Sequence, residues 1–493
     1  MLDVCCSRRG LIRGTLATAA TAAIAWPAGT AEAEAAERTA PTLGYMSRPD
    51  LKPPRIKMSH RQPLPASPQY FLITADGPVG HKGPLILDQN GDVIWFSPVP
   101  PAGEATNFNA QTYRGAPVLT WWERTRPSND PTFGVGVGYI ANQQYKVIAK
   151  VSAGNGLTTD FHELNLTSHG TALITARRSH QVNLSKLGGP AKGYVWSGVA
   201  QEINVATGKV VFEWDSMNHV PVTETLRGFT GGGQVNPFDY FHINSVAVAH
   251  DGDLLISARD TCAVYKVSRS TGAVKWQLGG KKSTFRMGQG ATFWWQHDVR
   301  EAAPNVLSIF DDASKPSKES QSRGILLNLD TAKMRATLRR AYTSPARPRA
   351  ANQGSMQVLS DGRVLVGWGN VPTFTEFAAD GAVLLNGSLP RGDWSYRAYT
   401  ADWTGSPGDR PAAVARRDRS GGTVVYMSWN GATEVASWTV HAGSRESALT
   451  PSGMAPRTTF ETAIFTAHNG PYFSVDAVDA NGRVLGRSSV VKC

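Results

Sequence analysis

His242, Asn244 and Arg259 are the residues whose types and spacing first suggest chemistry. They lie in the stretch Asp239–Gly280, which reads DYFHINSVAVAHDGDLLISARDTCAVYKVSRSTGAVKWQLGG. His242 and Asn244 begin one β-rich run, and Arg259 ends the next. The start of one strand and the end of its antiparallel neighbour lie at the same edge of a sheet. We therefore expect the three side chains to converge, where charged hydrogen bonds would hold a small anion such as sulfate, phosphate or carboxylate.

The stretch itself predicts a four-stranded antiparallel meander. Its four runs are rich in β-branched and apolar residues and are separated by the HDGD, DTC and RSTG turns. A sheet of this kind is one blade of a β-propeller. The same signatures recur along the chain about every 55 to 80 residues. The recurring units start near Asn107, His162, His242, His297 and Asn352.

A sixth unit is split between the two ends of the repeat region. Tyr70–Ser97 carries three strands without a first strand, and Ser395–Trp403 carries a first strand alone. Joining them in one blade would close the ring and leave no free sheet edge. The sequence therefore predicts an all-β chain in which residues 70–405 form a six-bladed β-propeller with a split closing blade.

Polar residues occupy the entrance of every predicted first strand, and first strands line the central channel of a propeller. These residues are Asn107, His162, His242, His297, Asn352 and Arg397. The second strands end in Arg177, Arg259 and Asp312, and aromatic residues crowd the same end: Trp121, Trp122, Trp294, Trp295, Trp368, Trp394 and Tyr396. We expect an anion pocket with an aromatic wall. The predicted substrate-binding residues are Asn244, Asn352, Arg177 and Trp295.

Other roles for these residues remain open. A ring of histidines could ligate a metal ion, but Asn244 and Arg259 suit an oxyanion, and a guanidinium would repel a cation. No cysteine spacing indicates a zinc or iron–sulfur site, so we expect neither a metal nor a cofactor. A single strand histidine is often structural, and Arg259 could pair between blades. Asp298, beside His297, is expected in a turn, and His219 lies in a long glycine-rich loop that could cover the mouth.

The composition argues against nucleic acid binding. The 493 residues carry a formal net charge of +11, but the 50 lysines and arginines are spread along the chain and form no block or helical stripe. After the repeat region, residues 411–493 alternate apolar and polar positions between NGATEV and ANG turns. That pattern predicts a C-terminal β-sandwich of the immunoglobulin or fibronectin type, a candidate for contact with cell wall or glycan.

The N-terminus predicts export. Residues 1–35 contain SRRGLIR with paired arginines, a mild apolar run and AEAEA as a cleavage region. This pattern is typical of a twin-arginine signal. The alternatives are a Sec signal or a membrane anchor. The apolar run of about 13 residues is shorter than the roughly 20 residues that span a bilayer. Residues 36–69 predict an extended arm. We expect a secreted or cell-envelope protein without stable membrane insertion, whose Cys262 and Cys493 either form a disulfide or stay unpaired.

The motifs HINS, SAR, VYKV and G-x-V-x-W, with FHEL before them and QHDV after them, resemble the bacterial arylsulfate sulfotransferases. The likeness covers residues 70–405 and falls in a branch of secreted actinobacterial and fungal relatives. It implies a six-bladed propeller that moves a sulfuryl group from a phenolic sulfate ester to another phenol, without the phosphoadenosine donor. It also implies a ping-pong reaction through a transiently sulfated histidine.

The resemblance also implies roles for individual residues. It places the catalytic set at His297 as nucleophile, with His242, His162 and Arg259, and places Asn244 among the sulfate-binding positions. Asn352 and Arg177 have no counterpart whose role can be carried over. The departing phenolate would take a proton from His242 or His162.

The leading hypothesis is therefore a secreted aryl sulfotransferase with a small aromatic sulfate donor and a phenolic acceptor. Two alternatives stay open. One is a non-catalytic propeller whose mouth binds a sulfated or phenolic ligand, and the other is an aryl sulfate hydrolase.

Overall fold

The computed structural model describes residues 40–62, 69–127, 133–313, 317–419, 421–468 and 470–493. The export signal predicted for residues 1–35 lies outside the described residues. The chain divides into two compact units, Met1–Ala40 and Pro41–Cys493, and the architecture below is that of the second. Its described residues are almost entirely β-structure, which confirms the all-β prediction.

Twenty-seven strands precede residue 403 in the described part of the chain. They are β1 (Lys57–His60), β2 (Gln69–Ala75), β3 (Gly83–Leu87), β4 (Val93–Phe96), β5 (Ala105–Tyr113), β6 (Ala116–Arg126), β7 (Val135–Ala141), β8 (Val147–Val151), β9 (Leu164–Leu166), β10 (Thr171–Val182), β11 (Gly193–Asn204), β12 (Val210–Asp215), β13 (Phe238–Asp239), β14 (Ile243–Val248), β15 (Leu254–Ala258), β16 (Ala263–Val267), β17 (Val274–Gly279), β18 (Arg286–Met287), β19 (His297–Ala303), β20 (Val306–Asp311), β21 (Arg323–Asp330), β22 (Arg335–Tyr342), β23 (Ser355–Val358), β24 (Val364–Gly367), β25 (Thr373–Phe377), β26 (Val383–Ser388) and β27 (Ala398–Asp402).

Helical structure is scarce beside these strands. The described helices are 3₁₀ turns of three residues each, at Ser185–Leu187, Ser216–Asn218 and Val222–Glu224. None of the helices in the described ranges has the length and apolar character needed to span a membrane.

The described strands before residue 403 form six sheets, each built on four antiparallel strands. Their orders are β27-β2-β3-β4, β5-β6-β7-β8, β9-β10-β11-β12, β14-β15-β16-β17, β19-β20-β21-β22 and β23-β24-β25-β26. Three short strands add to outer positions: β1 pairs with β26, β13 with β11 and β18 with β22. The strands β15 and β16 are buried along their whole length, which explains their continuous apolar runs. The HDGD turn before β15 needs glycine, because Gly252 has a left-handed φ of 86°.

The sheets contact one another in cyclic order, mostly through their first strands. Strand β27 contacts β5, β5 contacts β9, β10 contacts β14, β14 contacts β19, β19 contacts β23 and β23 contacts β27. Strand β27 pairs antiparallel with β2, from Gln69 opposite Asp402 to Ile73 opposite Ala398. The two parts of the predicted split unit therefore lie in one sheet, which joins the end of the repeat region to its beginning.

The chain then forms two smaller sheets. Their strands are β28 (Ala412–Arg417), β29 (Thr423–Ser428), β30 (Ser437–Gly443), β31 (Thr450–Pro456), β32 (Glu461–Thr466), β33 (Tyr472–Val478), β34 (Val484–Arg487) and β35 (Val491–Lys492). One sheet has the order β28-β29-β32, and the other has β31-β30-β33-β34 with β35 beside β33. A shared apolar core that includes Val425, Ile464, Trp438 and Phe473 lies between them.

The C-terminal sheets are tied to the six-sheet region by specific hydrogen bonds. The hydroxyl of Tyr145 donates to the carbonyl of Gly431 at 2.7 Å, and the amide of Asn430 exchanges two hydrogen bonds of 2.9 Å with the backbone of Phe96. Cys262 and Cys493 are both free thiols. The disulfide alternative for these two cysteines is therefore wrong.

Candidate active site

Backbone irregularities at the start of the inner strands position the site residues. His242 has a left-handed φ of 54°, and its N–H donates to the Asp239 carboxylate at 3.0 Å. The pairing of β14 with β15 slips between Ile243 and Ser245, so that Asn244 lies in a bulge. A second slip follows His297 in β19. Bulges redirect side chains next to active sites, and here they redirect the residues that the repeat pattern aligned.

His297 forms a buried pair with Asp312. Its Nδ1 lies 2.6 Å from Asp312 Oδ2 and 3.1 Å from the carbonyl oxygen of Trp295, while the backbone N–H of Gln353 donates to Nε2 at 3.3 Å. A carbonyl beside Nδ1 and a donor beside Nε2 both require the proton on Nδ1. The lone pair of His297 is therefore on Nε2.

His242 and His162 have the same construction. His242 Nδ1 lies 2.7 Å from Asp239 Oδ2, and His162 Nδ1 pairs with Asp160 Oδ2. The two imidazole rings meet edge to face with centroids 5.0 Å apart. Each of the three histidines thus has Nδ1 bound by its own carboxylate, which orients the ring. Nε2 of His297 also accepts from the Gln353 N–H, and this hydrogen bond must be released for the nitrogen to react.

The environments of these histidines shift their pKa values in different directions. Burial, together with the positive charge of Arg259, holds the pKa of His297 well below its ordinary value of 6.5. Burial also lowers the pKa of His162, although Asp160 opposes the change. Burial acts to lower the pKa of His242 too, but the Asp239 carboxylate outweighs it and the net pKa is raised. Separated pKa values of this kind assign a neutral base and a protonated acid within one site.

Burial also changes the pKa of Asp312. Its side chain is fully buried, and burial raises its pKa well above the ordinary value of 3.8, with Arg259 acting in the opposite direction. The carboxylate nevertheless accepts from His297 in either state, because the proton of the ring lies on Nδ1. Asp312 was predicted as part of an anion clamp, and the structure places it behind the histidine as its hydrogen-bond acceptor.

Arg259 and Asn244 lie beside the histidines. The backbone N–H of Arg259 donates to the His242 carbonyl at 2.9 Å. Its guanidinium donates to Asp260 at 2.8 Å and lies 5.2 Å from the ring centroid of Trp295. Asn244 donates through Nδ2 to the carbonyl of Gln296 at 2.6 Å. An amide carries two N–H donors, so the second can donate to a ligand.

Arg177 also reaches the histidines. A cavity of about 20 Å³ is lined by Arg177, His162 and His242 together with the two carboxylates that hold these histidines. The guanidinium of Arg177 lies between the rings of Phe133 and Trp196, 3.7 Å and 4.1 Å from their centroids. Two aromatic faces fix the plane of the arginine, and the cavity has room for about one oxygen-sized group.

Three residues do not have the positions that the sequence predicted: Asn352, Asp298 and His219. Asn352 is exposed, and it is the next residue, Gln353, whose N–H meets His297. Asp298 was expected in a turn, but it is fully buried, accepts from the N–H of Met356 at 3.1 Å and pairs with two arginines. His219 is exposed and stacks on Trp214 at 5.1 Å.

The loop that carries His219 reaches the site through other residues. The N–H of Leu226 donates to the carbonyl of Asp260 at 2.7 Å, and Arg227 pairs with the Asp260 carboxylate at 3.0 Å. Asp260 therefore lies between Arg227 and Arg259. The 226–227 segment of this loop therefore contacts Asp260, the residue that follows Arg259.

One group of side chains has a spacing that could suit a metal ion. Among the described residues, ligand atoms of Asp239, His242 and Asp260 lie within 4.8 Å of one another. However, Asp239 is engaged by His242, and two guanidinium groups already bind Asp260. Their positive charge opposes a cation, so this group of side chains does not suit a metal ion.

Sequence reasoning missed the carboxylates that hold the histidines. Asp160 stands two residues before His162, and Asp239 stands three residues before His242. That short Asp-to-His spacing was the available signal. Asp312 is fifteen residues from His297, and only the pairing of β19 with β20 brings them together.

Comparisons with known proteins identify the family of the chain. Residues 109–389, more than half of the chain, match the family described as arylsulfotransferase (ASST). No curated protein is significantly similar in sequence.

Solved structures with similar strand arrangements include a protein of unknown function from Bacteroides caccae, at 11% identity and a TM-score of 0.40 over 68% of this chain and 99% of that chain. They also include a streptogramin B lyase, at 10% identity and 0.35 over 75% and 94%. A catalytically inactive virginiamycin B lyase from Staphylococcus aureus matches at 9% identity and 0.36 over 76% and 96%. On the sequence match over residues 109–389, the chain belongs to the arylsulfotransferase (ASST) family.

Proposed function

We propose that this protein is a secreted aryl sulfotransferase that moves a sulfuryl group between phenols through a sulfated histidine, without a phosphoadenosine donor. One observation carries the proposal. Three carboxylate-bound histidines from successive sheets stand beside Arg259 and Asn244. Such a set supplies a nucleophile, a proton donor and oxyanion ligands within one small space.

In the first half-reaction His297 attacks the sulfate ester. The lone pair on Nε2 forms a bond to sulfur while the bond between sulfur and the aryl oxygen breaks. The departing phenolate takes a proton from His242, whose raised pKa favours the protonated ring. Arg259 and Asn244 donate to the non-bridging oxygens, where negative charge is held during transfer.

In the second half-reaction a phenolic acceptor replaces the first phenol. Its hydroxyl gives its proton to His242 and its oxygen attacks sulfur, while the bond between sulfur and His297 breaks. His162, whose pKa is lowered by burial, is the alternative acceptor of that proton. The first product leaves before the acceptor binds, so the kinetics are ping-pong.

The remaining predicted substrate contacts surround this centre. Trp295, predicted to bind substrate, is buried with its ring facing Arg259, so we propose that it acts by holding that guanidinium at the substrate. Arg177, held between two rings beside His162, binds an oxygen of the substrate anion. Asn352, on the exposed side of Gln353, contacts the outer part of a longer substrate.

The fold belongs to the same proposal. The cyclic contacts of the first strands support six blades around a channel, with β27 and β2 in the closing blade. The two C-terminal sheets on their shared core support a sandwich of the immunoglobulin or fibronectin type, suited to cell-wall or glycan contact. We place the chain in the secreted branch of the family, with residues 1–35 as a twin-arginine signal.

Turnover of 4-nitrophenyl sulfate by the purified protein tests the activity. Release of nitrophenolate that depends on added phenol, with no phosphoadenosine compound present, is expected. Steady release without phenol would instead indicate hydrolysis. No release from several aryl sulfates would support a binding protein and overturn the proposal.

Trapping the intermediate tests the nucleophile. Wild-type protein quenched during turnover is expected to carry one sulfated histidine on the peptide containing His297, and His297→Ala is expected to carry none. His180→Ala is a matched control, because His180 also contacts a carboxylate, Asp215 at 3.2 Å, away from the three-histidine site. A sulfated histidine that persists in His297→Ala would show that another residue is the nucleophile.

A further inference from the structure

Arg397 is a buried arginine that lies under the site without a role in the steps above. It directly precedes β27, the strand that closes the ring by pairing with β2. Only 3% of the residue is exposed. A buried guanidinium needs hydrogen-bond acceptors and compensating charge on every side, so its partners show what it holds.

The partners of Arg397 belong to the site residues or to their immediate neighbours. One terminal nitrogen donates to the carbonyl oxygen of His162 at 3.0 Å and to that of Asn244 at 2.9 Å. The other donates to Glu163 at 3.0 Å. Nε lies 3.6 Å from the carboxylate of Asp298. One side chain therefore connects three other sheets, at His162, at Asn244 two residues after His242, and at Asp298 beside His297.

The two carbonyls that Arg397 binds lie where strand pairing is interrupted. Asn244 is in the bulge between Ile243 and Ser245, and His162 precedes β9, which begins at Leu164. A carbonyl outside a regular ladder still needs a donor when it is buried. Arg397 supplies that donor to both carbonyls at once, and so sets their separation across the channel.

The surrounding charges are balanced. Arg397 and Arg300 face the carboxylates of Glu163 and Asp298, with Arg300 within 2.8 Å of both. The hydroxyl of Tyr399 donates to Asp298 at 3.3 Å. This network of two positive and two negative groups is rigid because each member is bound by more than one partner.

We propose that Arg397 is a positioning residue for the sulfuryl-transfer reaction, which fixes the main chain of His162 and Asn244 against the sheet that carries His297. The inference rests on the proposed function. Arg397 acts through these residues and touches neither substrate nor the reacting atoms. Ring closure by β27 is thereby linked to the geometry of the site.

The positive charge of Arg397 has a second consequence for His297. The groups that face His297 are Asp312 from the end of β20, Arg259, the imidazoles of His242 and His162, and Arg397. Arg397 is one of the charges that keep the pKa of His297 low, after burial, Arg259, His242 and His162. Removing that charge should therefore let the pKa of His297 rise.

Two substitutions separate geometry from charge. Arg397→Lys keeps the charge but cannot reproduce the planar fork that binds two carbonyls and a carboxylate. We expect its kcat for 4-nitrophenyl sulfate to fall by roughly 100-fold, with KM little changed and the acid limb of the pH profile in place. Arg397→Met removes the charge as well, and its acid limb should move to higher pH. Arg363→Lys is the control, since Arg363 pairs with Glu376 and Asp361 outside the site.

A measurement that does not depend on turnover tests Arg397 separately from the proposed function. NMR titration of histidine-labelled protein, with His297 assigned from the His297→Ala spectrum, should show a higher His297 pKa in Arg397→Met than in wild type or Arg397→Lys. A wild-type protein that transfers no sulfuryl group overturns the proposed function, while this titration still tests Arg397. If Arg397→Lys folds and retains wild-type kcat, Arg397 is not a positioning residue. If the two variants titrate alike while Arg397→Lys loses kcat, the loss comes from geometry alone, as the positioning role requires.

Discussion

Replacing Asp312 by Asn is the sharpest test of the proposed nucleophile. The carboxylate is fully buried and lies 2.6 Å from His297 Nδ1. A hydrogen bond to a charged group contributes about 1.5–3 kcal/mol, and each 1.36 kcal/mol is a factor of ten in rate. If the asparagine oxygen still accepts from Nδ1, kcat should therefore fall by about 10- to 150-fold.

The orientation of the asparagine decides whether the loss is larger. If its amide nitrogen faced Nδ1, the ring would take the other tautomer. In serine protease triads the wrong tautomer lowers kcat by up to about 10⁴-fold. The Trp295 carbonyl, 3.1 Å from Nδ1, opposes that tautomer. We therefore expect the smaller loss, with KM for the sulfate ester nearly unchanged.

The assay is phenol-dependent release of nitrophenolate, followed by quenching to measure the sulfated histidine. Asp311→Asn is the matched control. Asp311 is equally buried and adjacent in sequence, but it pairs with Arg323 at 2.9 Å and with no histidine. A folded Asp312→Asn variant that keeps kcat within about threefold of wild type would refute the role given to Asp312.

Two further predictions concern protonation and substrate binding. The lowered pKa of His297 places the acid limb of kcat/KM below the ordinary histidine value of 6.5, and the raised pKa of His242 places the alkaline limb above it. Activity should therefore peak between the two limbs. An acid limb at or above 6.5 in the pH profile would contradict this assignment. Arg177→Met should raise KM for the sulfate donor by about 10- to 100-fold with little change in kcat, because it removes a charged hydrogen bond to the bound anion. Arg178→Met, which breaks ion pairs with two carboxylates on β12, should leave KM unchanged. Equal effects of the two substitutions would count against a binding role for Arg177.

The repeat in the sequence located most of the candidate site. His162, His242 and His297 could be aligned because each starts an inner strand, and a repeated strand pattern reveals equivalent positions without any structure. The all-β class and the family followed from the same motifs and are confirmed. The catalytic roles of these residues stay predictions until the experiments above are done.

The sequence pattern failed where the backbone departs from regular strands. Asn352 was aligned with the histidines, yet its neighbour Gln353 contacts His297. Asp298 was expected to point into a turn, yet the bulge in β19 brings it to the buried arginines. A bulge adds one residue to one strand, so it reverses which side chains face inward. Alternation along the sequence does not reveal such a shift.

The sequence by itself determined which residue types stand at the head of each inner strand, because that information is local and repeated. Only the tertiary structure decided how these residues combine. Asp312 reaches His297 through the pairing of adjacent strands, and Arg397 reaches His162 across 235 positions of the chain. Contacts between such distant residues depend on how the sheets pack against one another. The alternating pattern of any single strand does not determine that packing.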